Sequence, residues 1–104
     1  MRIEIRSLGL ESSAILVDHT RRRLAVALGG FAGHLGAVVV RFSDVNGPRG
    51  GVDKRCAVSV SVVGRPPVQI ETLHHDAYAA VDISAARAAQ AVARSLQRHR
   101  ELAD

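Results

Sequence analysis

Aromatic residues are almost missing from this chain. Phe31, Phe42 and Tyr78 make up its 3% of aromatics, and there is no tryptophan. The core must therefore be built from Val, Leu, Ile and Ala, and a base-stacking platform of the kind that single-strand RNA binders use is nearly excluded. Cysteine is reduced to Cys56, so no disulfide can form within one chain, which fits a reducing cytoplasm. Lysine is equally rare: of the fourteen basic residues only Lys54 is lysine and the other thirteen are arginine. No apolar run approaches the roughly 20 residues that span a bilayer. Residues 1–10 carry Arg2, Glu4 and Arg6 and are too short and polar for a signal peptide. The expectation is a soluble, cytoplasmic protein.

What is present is a hydrophobic fraction of 47% in 104 residues. That composition argues against disorder, and the length suits one domain, residues 1–104, with a single two-layer core and no deep cleft. The net charge is +4 and the pI about 10.6. Arginine offers a planar fork to phosphates and bases, so a basic small domain of this composition points toward nucleic acid.

Residues 2–6 alternate strictly, with Ile3 and Ile5 on one side and Arg2, Glu4 and Arg6 on the other, which predicts a half-buried strand. Ser12 or Ser13 is a suitable N-cap for a helix over residues 14–28, whose stripe is Val17, Thr20, Leu24, Leu28 and Phe31. Gly29 and Gly30 are expected to stop it. Residues 37–43 form a β-branched strand with Val38, Val40 and Phe42 inward. Residues 44–53 have turn chemistry in Asn46-Gly47-Pro48 and Gly50-Gly51, and residues 54–63 make a third strand with Cys56, Val58, Val60 and Val62 inward. Its outer row, Ala57, Ser59 and Ser61, leaves that face open to water or a partner. After a short link at Arg65-Pro66-Pro67, residues 68–73 make a fourth strand, with Val68 and Ile70 inward.

A long last helix follows. Tyr78, Val81, Ala85, Ala88, Val92 and Leu96 recur at steps of three and four and form its apolar face. Arg87, Arg94 and Arg98 form a second stripe, roughly 130° round at about 100° per residue. The predicted class is thus α+β in the order β-α-β-β-β-α: a two-layer sandwich of a four-stranded mixed sheet with both helices packed on one face. The first helix is long enough to be a crossover, making the first two strands parallel neighbours.

The arginine row has little acid beside it, so an electrostatic role toward RNA stands against simple solvation of a helix face. Arg98 has a further structural explanation near the helix C-terminus, where the macrodipole favours cations. Arg21, Arg22 and Arg23 spread over most of a helix circumference and cannot all meet one ligand. The loop at 44–53 lacks the spacing of a phosphate-binding or calcium loop and reads as a flexible hairpin tip carrying Arg49. His74, His75 and Asp76 suggest a metal, but adjacent strand residues point to opposite sides and no second pair completes a ligand set. Asp76 is better read as the N-cap of the last helix. No nucleophile has a paired base, and Cys56 lies on the core face. Neither catalytic residues, nor a metal, nor a cofactor, nor a small-molecule substrate is expected.

The element order and the run Asp76-x-Tyr78-Ala79-Ala80-Val81-Asp82 resemble the short ribosome hibernation promoting factors and the related ribosome-associated inhibitors, over nearly the whole chain. The resemblance implies a non-enzymatic translation inhibitor of the stress response and stationary phase. Such a protein binds the small ribosomal subunit and its rRNA in the channel where mRNA and tRNA pass. It implies RNA-binding roles for Arg22 and Arg23, which precede Leu24, and for Arg87 and Arg94; Arg98 extends the same row. Tyr78 would pack at the base of the last helix. Gln90 departs from the pattern, standing where the family often has Arg or Lys. With no dimerisation domain after the last helix, a monomer that does not pair ribosomes is expected. The alternatives are a generic double-stranded RNA binder, or a protein-interaction module that uses the open sheet face.

Overall fold

The computed structural model describes residues 1–8, 13–45 and 54–103. The elements follow the expected order: β1 (Arg2–Leu8), α1 (Ala14–Leu28), β2 (Leu35–Asp44), β3 (Lys54–Val62), β4 (Val68–His74) and α2 (Ala77–Ala103). The alternative N-cap Ser12 and most of the expected hairpin tip, residues 46–53, fall outside the described residues.

The sheet runs β1-β2-β3-β4. β1 and β2 are parallel and are joined through α1, while β2–β3 and β3–β4 are antiparallel. Both helices pack on each other, and α2 lies across β3 and β4. The fold is therefore the expected α+β two-layer arrangement. Its core lies between the sheet and the helices, around Val38, Val40, Phe42, Val58 and Val60 from the strands and Leu24, Leu28, Val81 and Val92 from the helices.

One irregularity extends the core. β2 carries one extra residue against β3 between Leu35 and Val38. The odd spacing would turn Leu35 outward in a regular strand, yet both residues are buried, because a bulge resets the alternation. Gly36 lies in this bulge, and a Cβ there would come within 3.1 Å of Ser61 Oγ.

α1 starts where Ser13 caps it: the Leu16 N–H donates to Ser13 Oγ at 3.1 Å, and the Val17 N–H to the Ser13 carbonyl at 3.0 Å. Its buried ridge is Leu16, Thr20, Leu24 and Leu28. That corrects the first position of the expected stripe, since Val17 sits only half-buried on the flank. Thr20 tolerates full burial because its hydroxyl donates to the Leu16 carbonyl at 2.7 Å. α1 ends at Leu28, directly before the glycines, as expected. Gly29 has right-handed helical geometry, with φ −57° and ψ −35°. The chain tightens into a 3-10 helix over Gly29–His34 before β2 begins. Gly64 (φ +71°) is the described residue in the left-handed region, and it turns the chain between β3 and β4.

On α2 the buried face is Ala80, Val81, Ser84, Ala85, Ala88 and Val92. Ala80 and Ser84, outside the expected stripe, are buried on this face as well. Leu96 is only partly buried, and Tyr78, expected on the apolar face, is 37% exposed.

Candidate nucleic-acid interface

The opening turn of α2 holds the two helices together. Asp76 caps it: its Oδ1 accepts the Tyr78 N–H at 2.9 Å, and its carbonyl accepts the Ala80 N–H at 3.0 Å. Tyr78 then meets His19 of α1 edge to face, with ring centroids 5.1 Å apart. One turn on, Asp82 Oδ1 lies 2.8 Å from His19 Nε2 and 3.1 Å from Arg23 Nε. Asp76, Tyr78 and Asp82 thus act as cap, ring contact and ionic clamp. This explains Tyr78's exposure: its partner is another helix's side chain, not the core.

The three neighbouring arginines of α1 are held in three directions, each by a different partner. Arg21 Nη1 donates to the Ile3 carbonyl of β1 at 2.9 Å. Arg22 Nη2 lies 3.1 Å from Asp18 one turn back, with both side chains well exposed. Arg23 uses its Nε on Asp82 and stays half-exposed between the helices. The spread of the three arginines is as the sequence indicates.

The row on α2 divides differently. Arg87 Nη1 donates to the Glu71 carbonyl at 2.7 Å and to Thr72 Oγ1 at 3.2 Å. Thr72 Oγ1 also accepts the buried Ser84 hydroxyl at 2.8 Å. Arg87 is therefore partly a structural brace between α2 and β4, although the rest of its fork remains exposed. Arg94 and Arg98 lie farther along the same flank. Together with Arg65 of the β3–β4 link they line a groove of about 330 Å³. The two helices' arginines therefore sit on two flanks of one helix layer: Arg23 of α1 toward the seam with α2, and Arg87, Arg94 and Arg98 of α2 toward β4. Gln90 is exposed. Arg65 was not singled out from the sequence, and its position two residues ahead of Pro67 was the available signal: a rigid link beside β4 places it opposite the C-terminal half of α2.

His74 and His75 do not point to opposite sides; their rings stack with centroids 4.4 Å apart, because β4 ends at His74 and the backbone bends at His75. His74 Nδ1 accepts the Asp76 N–H at 3.0 Å. Among the described residues no group of three or more His, Cys, Asp or Glu could hold a metal. Cys56 is buried, and burial pushes its thiol's pKa up, partly offset by a hydrogen bond with Ser84. No helix among the described residues is long and apolar enough to cross a membrane. On the open face of the sheet, Arg55 Nη2 pairs with Glu71 Oε2 at 2.8 Å, and Arg41 is exposed.

No family model and no curated protein matches the sequence. Solved structures share the fold. A ribosomal subunit interface protein from Coxiella burnetii superposes with a TM-score of 0.76 at 16% identity, covering 90% of this chain and 96% of that one. The N-terminal domain of Protein Y from Thermus thermophilus superposes with a TM-score of 0.74 at 25% identity, covering 90% and 98%. These structural neighbours are of the kind that the sequence resemblance names.

Proposed function

We propose that this protein associates with the ribosome, and that it binds the small subunit as a non-enzymatic, cofactor-free inhibitor of translation. The observation that carries this reading is the fold shared, across nearly the full length of both chains, with a ribosomal subunit interface protein and Protein Y's N-terminal domain. Residues 1–104 act as one binding domain. It works in the cytoplasm as a monomer, during stationary phase or stress.

Its mechanism is steric. The helix layer lies against rRNA in the path of mRNA and tRNA, and Arg22, Arg23, Arg87, Arg94 and Arg98 contact backbone phosphates. Guanidinium groups suit that task because each fork can bond two phosphate oxygens. Such contacts position the protein without reading sequence. Arg94 and Arg98 contribute most, being the members of the α2 row that make no hydrogen bond to β4.

Competition tests the channel claim. Labelled protein is bound to purified small subunits, and mRNA with tRNA is then added in excess. Release of the protein is expected, together with inhibition of a cell-free translation reaction. Protein that stays bound alongside mRNA and tRNA, with translation unaffected, would refute occupancy of the channel.

A further inference from the structure

The groove between the β3–β4 link and the C-terminal half of α2 has an unusual charge balance. Arg94 and Arg98 are one turn apart on α2, and Arg65 approaches them from the link. Like charges at i,i+4 on a helix destabilise it. Here no carboxylate lines the groove among the described residues; its other polar groups are the Ser95 hydroxyl and the Gln69 amide, both able to donate. The Arg65 Nε is buried and has no hydrogen-bond partner, which leaves a charged donor unsatisfied. The helix dipole does not account for Arg94, since it acts within the last turn and Arg94 lies nine residues before the end of α2 at Ala103. The link is stiffened by Pro66 and Pro67, so Arg65 is held beside α2.

We infer that Arg65, Arg94 and Arg98 form a phosphate-binding groove, and that its ligand is a backbone phosphate of RNA. The three guanidinium groups supply forked donors to one phosphate, and Ser95 and Gln69 add neutral donors at its rim. This adds Arg65 to the binding residues and gives the α2 row a defined contact. The RNA source of the phosphate rests on the ribosome-associated reading; the groove's affinity for phosphate does not.

The test uses the full chain, labelled for NMR and titrated at low ionic strength with inorganic pyrophosphate and, separately, with a short RNA duplex. Shifts are expected at amides 65–69 and 91–98 with both probes. Arg65→Gln should weaken pyrophosphate binding about tenfold, the size of one lost charge-assisted hydrogen bond. Arg41→Gln, on the open face of the sheet, should leave it unchanged. An unchanged spectrum elsewhere shows that the Arg65 variant is folded, and Arg65→Lys, which keeps the charge without the fork, should retain part of the affinity. Diffuse shifts, or equal losses from Arg41→Gln and Arg65→Gln, would overturn the groove. The same variants on ribosomes separate the two readings. Ribosome binding by the wild type, with no pyrophosphate seated and no effect of Arg65→Gln, removes the groove alone. A pyrophosphate-filled groove on a protein that ignores ribosomes and duplex RNA removes the RNA backbone as its ligand.

Discussion

Asp82 Oδ1 on α2 lies 2.8 Å from His19 Nε2 on α1, across the seam between the helices. The same carboxylate holds Arg23 at 3.1 Å, so one side chain ties two residues of α1 to the turn that Asp76 caps. Both Asp82 and Arg23 are about half exposed, which limits the pair to the surface range. Asp82→Ala is expected to lower stability by about 1 kcal/mol, or roughly 4–8 °C in Tm for a domain of this size. Asp82→Asn keeps an acceptor and should lose less. Thermal unfolding of both variants checks this, and equal losses would show that hydrogen-bonding capacity at this position does not matter.

The contact of Ser84 with Thr72 is fully enclosed. Ser84 is 0% exposed and donates to Thr72 Oγ1 at 2.8 Å. Thr72→Val leaves that hydroxyl without its acceptor and also removes one acceptor from Arg87, at an expected cost of about 1–3 kcal/mol. Adding Ser84→Ala removes the stranded hydroxyl as well, so the double variant should lose less than the sum of the single ones. Urea unfolding of the four proteins forms the cycle. Strict additivity would mean that the two hydroxyls do not interact.

Arg87 and Arg94 belong to one row but are expected to separate in stability measurements. Arg87→Gln loses the bonds to the Glu71 carbonyl and to Thr72 and should destabilise by about 1–2 kcal/mol. Arg94→Gln should stay within about 0.5 kcal/mol of the wild type, as surface substitutions do. Equal effects would remove the bracing role assigned to Arg87.

Cys56 should be inert while the protein is folded. Burial raises its thiol's pKa, and the hydrogen bond with Ser84 offsets this only in part. The thiolate is the reactive species, so a thiol reagent at pH 8 should label Cys56 only at the rate of unfolding. The pH dependence has a definite sign. The unfolded chain gives up the thiol proton first as pH rises, so the stability linked to the neutral thiol is complete below the ordinary thiol range. It is lost as pH climbs through the raised folded-state value. Cys56→Ala should flatten that alkaline decline. Rapid labelling of the native protein at pH 8 would contradict the enclosure of the thiol.

The strands were legible because alternation reports burial directly: Val38, Val40, Phe42, Cys56, Val58, Val60 and Val62 all face the core. Asp76 was legible as a cap because capping is local. The helices were less so. α1 carries apolar residues all round, including Ile15 at 72% and Val26 at 80% exposure, so periodicity could not choose Leu16 over Val17. Tyr78 falls in step with the apolar stripe by its spacing from Val81 and Ala85, while its partner His19 lies in the other helix, beyond the reach of local pattern. Arg87's main acceptor is a backbone carbonyl, which no side-chain periodicity marks. The groove at Arg65 depends on how far the β3–β4 link reaches along α2, and only the folded chain shows that.

Co-sedimentation on sucrose gradients at low and high salt decides whether the protein associates with ribosomes through its arginines. The wild type should travel with the small subunit at low salt and leave it as salt rises, because each phosphate contact releases counterions. Arg94→Glu with Arg98→Glu should abolish association while thermal unfolding stays close to that of the wild type. Wild-type protein that remains at the top of the gradient at every salt concentration, or a double variant that still travels with the small subunit, would contradict ribosome association through those arginines.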